Sequence, residues 1–543
     1  MIEITIYCLI SNLMFYSYGH FLKFKKFSNK VENINNRSIV GCIFLSFIGL
    51  FANFFIPLDQ IFNTLLLIIG IIFLIFKKKS WKKKEIYYIF LSSFIAAILI
   101  IYSNVNRPDA GLYHLPYVSN LNENKIIFGL ANIHFRFGTA SIMQYLSAVN
   151  NNLVFGDIGI VIPLASIVSF FIIYFFNNVL KIFTEIDKIT LSNIFSLFIV
   201  IFIAYKINRY SSFGNDAVAH LSLFFLVSKL LENKETNLSF IYLIAVFAFV
   251  NKITMIFVLL IPFVIFIKNY KFKNLKLIYS ISSFLIFFWI IKNIIVSGCI
   301  IYPLKQTCFE KLKWTDIKEI QLENTSGEAW SKAWPNRINK DITMQEYIKG
   351  FNWVKSWRES HGKVFFNIVA PYLVLILFLN YLLIKKNNLK RVINFNINDN
   401  FKTLFLISIF GTLLFLTKFP LYRYGYSYLI TSLILLILYF SRKFEIQKLI
   451  IISKFVFLIC LIAIVGKQTL RYAKNYNSEF LWPRIYSFET NKKIMAKEVT
   501  YLKDFKIYIA ENVCMYSKAP CTNYSLKEIN LLKKNNYYFV NLK

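Results

Sequence analysis

Acidic side chains are in short supply: 28 Asp and Glu stand against 62 Lys and Arg in 543 residues, a formal net charge of +34. A carboxylate beside an apolar segment is therefore informative. Glycine and proline are also scarce, at 17 and 11 residues, and no internal repeat is visible. A secondary transporter is expected to show matched halves with Gly or Pro breaks inside its spans, so that class is disfavoured. What the chain holds instead is 57% apolar and 18% aromatic residues with a mean hydropathy of +0.53, which excludes a water-soluble enzyme of ordinary build. In a soluble protein the basic excess would suggest nucleic acid. Here it sits in loops that abut apolar runs, as in Lys77 to Lys79 and Lys82 to Lys84. It reads as cytoplasmic retention against anionic headgroups of the lipid bilayer, with no nucleic acid as partner.

A transmembrane helix needs about 20 mostly apolar residues, and about fourteen stretches qualify. They are 2–20, 38–55, 60–76, 86–103, 158–176, 190–205, 216–231, 238–250, 253–267, 277–296, 365–384, 401–417, 425–440 and 448–466. Residues 238–267 hold too many apolar side chains for a single crossing and are divided near Asn251 and Lys252. The expected fold is an all-α polytopic membrane protein. By the positive-inside bias, the Lys-rich loops 21–37, 77–85, 268–276 and 385–402 are cytoplasmic. The N-terminus, the 104–157 loop, the 297–364 loop and the tail from residue 467 then lie outside. Cys8, Cys42 and Cys460 fall within spans, whereas Cys299, Cys308, Cys514 and Cys521 fall on the outer side in two close pairs. Oxidising compartments favour disulfides, so Cys299–Cys308 and Cys514–Cys521 are the expected bridges.

The candidate chemistry gathers at the same surface. Asp109 follows the fourth span in Asn106-Arg-Pro-Asp-Ala-Gly-Leu-Tyr-His114, and Asp216 opens another in Gly214-Asn-Asp-Ala-Val-Ala-His220. Pro108 ends a helix, and each acid also reads as the N-cap of the helix that follows it. Of the five histidines, His114, His134, His220 and His361 map to the outer side. Asp216 and His220 share one helix face. Arg136, Arg209, Lys252, Lys292 and Arg423 sit at or near outer helix ends. They are placed either to snorkel to the interface or, with His134 and His220, to bind a phosphate at headgroup level. The 297–364 loop carries Trp314, Trp330, Trp334, Trp353 and Trp357, whose indoles stack on sugar rings or belong to an interface belt. Past Trp482-Pro483 the tail reads as helix 488–504, strand 506–510, helix 525–534 and strand 537–540, a small α/β appendage.

An outer first-loop aspartate, interface helices after it at 110–120 and 138–149, further spans and a large later outer loop resemble the layout of the GT-C superfamily of membrane glycosyltransferases. Its members include protein mannosyltransferases and lipid A aminoarabinose transferases. The resemblance covers residues 86–385, with Asp109-x4-His114 and the Asn215-Asp216 pair. The segment Cys514 to Thr522, with Ala519-Pro-Cys-Thr522, is further similar to a GT-C-like bacterial membrane-protein family. The resemblance implies a GT-C-like module at 81–466 in a bacterial cytoplasmic membrane, additional N-terminal helices at 1–80, and an extracytoplasmic appendage at 467–543. The three spans before residue 80 depart from the usual arrangement, in which the catalytic loop follows the first helix. The implied reaction moves a sugar from a polyprenyl-phosphate donor to a glycan, lipid or protein acceptor. Asp109 would be the general base, His114 and Asp216 its companions, and the outer Arg and Lys residues would meet the leaving phosphate. Members differ in metal dependence, so no cofactor is established and Asp109 and Asp216 are candidate ligands of a divalent metal. Alternatives are an O-antigen polymerase or ligase acting on diphosphate-linked glycans, a membrane transporter, and a purely structural assembly protein.

Overall fold

A computed structural model describes the chain except for residues 23–29, 78–82, 104–108, 207–212, 233–237, 269–276, 385–391, 396, 398, 479–495, 503, 527 and 543. Arg107, Arg209, Trp482-Pro483 and most of the lysine-rich loops thus lie outside the described residues. Four helices open the chain: α1 (Ile2–Phe21), α2 (Lys30–Asn53), α3 (Gln60–Lys77) and α4 (Lys83–Ile100). Two short ones follow, α5 (Leu115–Glu123) and α6 (Ile142–Asn150), then α7 (Ile162–Thr184), α8 (Leu191–Lys206), α9 (Asp216–Leu230), α10 (Leu238–Asn251), α11 (Leu260–Lys268) and α12 (Leu277–Ser297). Next come α13 (Ile317–Ser331), α14 (Met344–Ile348), α15 (Val354–Trp357), α16 (Lys363–Leu383), α17 (Asp399–Lys418), α18 (Tyr422–Phe440) and α19 (Ile446–Asn475). Long runs of Ile, Leu and Phe favour this outcome because a helix satisfies its own backbone polar groups where no water can.

Among the described residues, seven helical segments are long and apolar enough to cross a membrane, and shorter apolar helices accompany them. Helices α7, α8, α9 and α10 are buried nearly all round, as expected at the centre of a bundle. By contrast α16, α17 and α19 expose Phe366, Phe378, Leu406, Phe410, Ile451 and Phe455. A water-facing surface does not tolerate so much contiguous apolar area, and the chain is a membrane protein. The first three helices share the core of the rest. α1 and α2 cross where a Cβ on Gly19 would strike the Arg37 carbonyl and one on Gly41 that of Phe15, a small-residue contact that lets two backbones touch. The Asn12 amide then ties α1 to α4 through the hydroxyls of Ser92 and Ser93, at 3.2 and 3.1 Å.

The 298–362 region is a folded excursion carrying α13 to α15, with Cys299 bonded to Cys308. A short antiparallel pair, β1 (Val392–Asn394) and β2 (Lys443–Glu445), lies between the later helices. The C-terminal part corrects the sequence reading in two ways. Helix α19 runs on to Asn475, past the expected boundary at 467. Beyond it the described residues form strands only: β3 (Ala496–Leu502) antiparallel to β4 (Phe505–Ala510), β5 (Cys521–Thr522) parallel to β4, and the hairpin of β6 (Ile529–Lys534) with β7 (Tyr537–Leu542). The expected helices at 488–504 and 525–534 are therefore strands where they are described, and the described part of the appendage past α19 is all-β. Good helix formers in Ile529 to Lys534 yield to pairing with the aromatic strand Tyr537-Tyr-Phe-Val540, since strand preference is decided by packing. Asn535 and Asn536, both at positive φ, supply the two-residue turn such a hairpin requires.

Candidate functional site

Two ion pairs meet at one end of the bundle. Pro116 has no N–H, and the chain ahead of it widens into a π-turn at Ala110–His114, a local distortion common at functional sites. Asp109 precedes that turn in helical conformation, makes no capping hydrogen bond, and accepts one from the Arg423 guanidinium at 2.7 Å. Arg423 lies in the first turn of α18. Asp216, in the first turn of α9, accepts from Lys252 at 2.6 Å. Its neighbour Asn215 occupies the cap position of α9, and Asp109, at the cap position of the π-turn, spends its carboxylate on Arg423 instead. Lys252 stands at the break between α10 and the 3-10 turn Ile253–Leu259, with extended backbone, where the divided 238–267 stretch was expected to part.

The two pairs are joined through the backbone of Arg423. Its carbonyl accepts from Lys252 at 2.7 Å and from His220 at 2.9 Å, while the other ring nitrogen of His220 meets the Ser427 hydroxyl at 2.7 Å. His220, fully buried, thus anchors α18 to α9. Tyr424 turns its ring toward both cations, 4.7 Å from Lys252 and 5.3 Å from Arg423. The cluster is not sealed: the side chains of Asp109, Asp216 and Arg423 are 30%, 32% and 38% exposed, against 9% for Lys252.

His114 closes the group. Burial pushes its pKa down to about 4, against the pull of Asp109 and Asp216 and with the help of Arg423 and Arg136, so it is neutral at pH 7. Its Nδ1 lies 3.2 Å from the Gln144 amide nitrogen. Gln144 Oε1 is occupied by the Ser141 N–H at 2.7 Å in a capping box, which fixes the amide so that its NH₂ donates to Nδ1. The proton of the neutral ring is then on Nε2. Burial alone would raise the Asp109 pKa, but the hydrogen bond and charge of Arg423, helped by His114 and Arg136, hold it below the usual carboxylate range. Arg136 stands over the Tyr113 ring at 5.9 Å.

Other sequence-predicted residues lie apart from the ion pairs. His134 is buried, accepts from the Arg136 N–H at 3.1 Å and packs edge-on against Tyr524 of the C-terminal strands at 5.0 Å. Burial pushes its pKa down to about 4. Lys292, fully buried in α12, donates to the Ala140 carbonyl at 3.1 Å. Arg209 lies outside the described residues. Trp314 packs against Phe128, Trp334 against Tyr347 and Trp353 against Trp357; Trp330, 62% exposed, presents the most surface to a ligand. Cys514 is bonded to Cys521. Gln144 and Tyr424 were not singled out from the sequence. The Ser141-x-x-Gln144 signature of a capping box was the available signal for the first. Among the described residues no three His, Cys, Asp or Glu side chains are grouped to hold a metal, and each carboxylate of the site instead faces a basic side chain.

Residues 1–430 match the model of a protein family described as a domain of unknown function, DUF8201. The chain belongs to this family. The DUF8201 match takes in α1 to α4 together with Asp109, His114, Asp216, Lys252 and Arg423, and ends within α18. No curated protein and no solved structure matches the chain.

Proposed function

We propose that the protein is a membrane glycosyltransferase of GT-C type, which takes a sugar from a polyprenyl-phosphate donor and passes it to a hydroxyl acceptor on the extracytoplasmic side. The observation that carries this reading is the convergence of Asp109–Arg423 and Asp216–Lys252, partly exposed, at the end of a bundle of apolar helices. A carboxylate with a movable guanidinium partner suits a lipid-linked phosphate. The phosphate takes the Arg423 fork, and Asp109, released from its counter-charge, becomes a stronger base. Asp109 then removes the acceptor hydroxyl proton as that oxygen bonds to the anomeric carbon. The carbon–oxygen bond to phosphate breaks with its electron pair on phosphate, and the sugar is inverted. Arg423 and Lys252 stabilise the charge gathered there. His114 serves as a donor, because its Nδ1 lone pair is engaged by Gln144. The two disulfides support an oxidising, outer location for these loops.

The test is sugar transfer in membranes carrying the protein, with polyprenyl monophosphate sugars and diphosphate-linked oligosaccharides offered separately. Asp109→Asn is expected to lower transfer from the monophosphate donor by about 10²–10⁴-fold, the range for a positioned base, with normal insertion. Full activity in Asp109→Asn removes the mechanism. Activity confined to diphosphate donors replaces it with a polymerase or ligase.

A further inference from the structure

We infer that the loop closed by the Cys514–Cys521 disulfide is a positioning clamp for the Asp109–His114 segment. The reason begins in the π-turn. The Leu115 N–H goes to the Ala110 carbonyl, and in that wider register the partner of the Gly111 carbonyl would be the N–H of residue 116. Residue 116 is proline and has none. A buried carbonyl without a donor is costly, and the Gly111 carbonyl is instead satisfied from outside by the Met515 N–H at 2.9 Å.

The bond is not isolated. Tyr516 donates its hydroxyl to Asn122 at 3.0 Å and accepts from Asn151 at 2.8 Å. The Ser119 hydroxyl donates to the Ser517 carbonyl, and the Ala519 N–H donates to Glu123 at 2.9 Å. Every one of these tail residues lies between the two bonded cysteines, and every partner but Asn151 lies on the π-turn or α5. The fit is tight: a Cβ on Gly111 would strike Met515 Sδ, with Val513 Cβ 3.3 Å away. A segment with so little regular secondary structure would wander if it were open. Closing it with a disulfide confines it, and the confinement passes through Met515 to a residue two positions from Asp109.

The clamp acts through Asp109 and His114, so its effect on transfer rests on the glycosyltransferase reading, whereas its effect on structure does not. The test uses the full chain in lipid nanodiscs. Amide exchange of residues 110–124 is followed by mass spectrometry in wild type, Cys514→Ser/Cys521→Ser, Tyr516→Phe and, as control, Cys299→Ser/Cys308→Ser. Exchange of 110–124 is expected to rise about tenfold or more without the 514–521 bridge, less in Tyr516→Phe, and to stay within about twofold in the control, with α7 to α10 unmoved. Gly111→Ala should loosen the same segment, and adding Met515→Ala should restore it, a rescue that a general loss of stability would not produce. In transfer assays the clamp variants should lose kcat while donor KM holds. Unchanged exchange of 110–124 without the bridge overturns the clamp, as does a failed rescue. If exchange rises as expected while Asp109→Asn still transfers sugar, the clamp stands and the enzymatic reading falls.

Discussion

Replacing Arg423 tests whether Asp109 and its partner are one unit. Two unit charges about 4 Å apart attract by about 4 kcal/mol at an effective dielectric near 20. Asp109 is 30% and Arg423 38% exposed, so solvent screens much of that; fully exposed pairs contribute about 0–1 kcal/mol. Neither group is left alone when the other goes. Arg136 still acts on Asp109, and Asp216 still acts on Arg423. The cost of orphaning a fully buried charge, about 3–5 kcal/mol, therefore does not apply. A cycle of Asp109→Asn, Arg423→Gln and the double variant is expected to give a coupling of about 1–2 kcal/mol. It is read from unfolding of the protein in nanodiscs at neutral pH. The single Arg423→Gln change also leaves burial opposed only by the weaker pulls of Arg136 and His114. Asp109, depressed in the wild type, gives stability above the carboxylate range that is lost as pH falls through its folded pKa. In Arg423→Gln that loss should begin at a higher pH. Single effects that sum within about 0.3–0.5 kcal/mol would refute the reasoning.

Acid should loosen the outer segments. His114 and His134 are held neutral by burial, from 6.5 down to about 4. A depressed histidine contributes fully above its unfolded value, and the contribution drains away as pH falls from 6.5 toward 4. The loss is roughly 1–3 kcal/mol for each ring, seen as a falling unfolding midpoint between neutral pH and pH 4.5. A His134→Gln variant should show a flatter profile, and an identical profile would exclude that ring. Gly41→Leu should force α1 away from α2, because the new side chain meets the Phe15 carbonyl. A cost of about 3 kcal/mol or more is expected, read as loss of the monodisperse protein on gel filtration; a normal yield would contradict the close crossing.

The residues of the site were legible one at a time. Asp109, Asp216, Lys252 and Arg423 stood out because a charged side chain at the end of an apolar run has few bland explanations. Their pairing was not legible, since Arg423 lies 314 positions from Asp109 and nothing local specifies which helix ends meet. The tail was misread for a related reason. Helix-forming residues at 529–534 suggest a helix by themselves, and only the neighbouring strand makes them β6.

The amino-acid order alone determined that this is a helical membrane protein, because apolar length and the need to satisfy the backbone in lipid are properties of each segment taken separately. It also marked both cysteine pairs, which are close in the chain. Which carboxylate faces which cation, why His114 presents Nε2, and how the 514–521 loop reaches Gly111 were decided by the tertiary structure. Those arrangements arise from contacts between distant segments, where charge, burial and hydrogen-bond geometry exist only once the helices have packed.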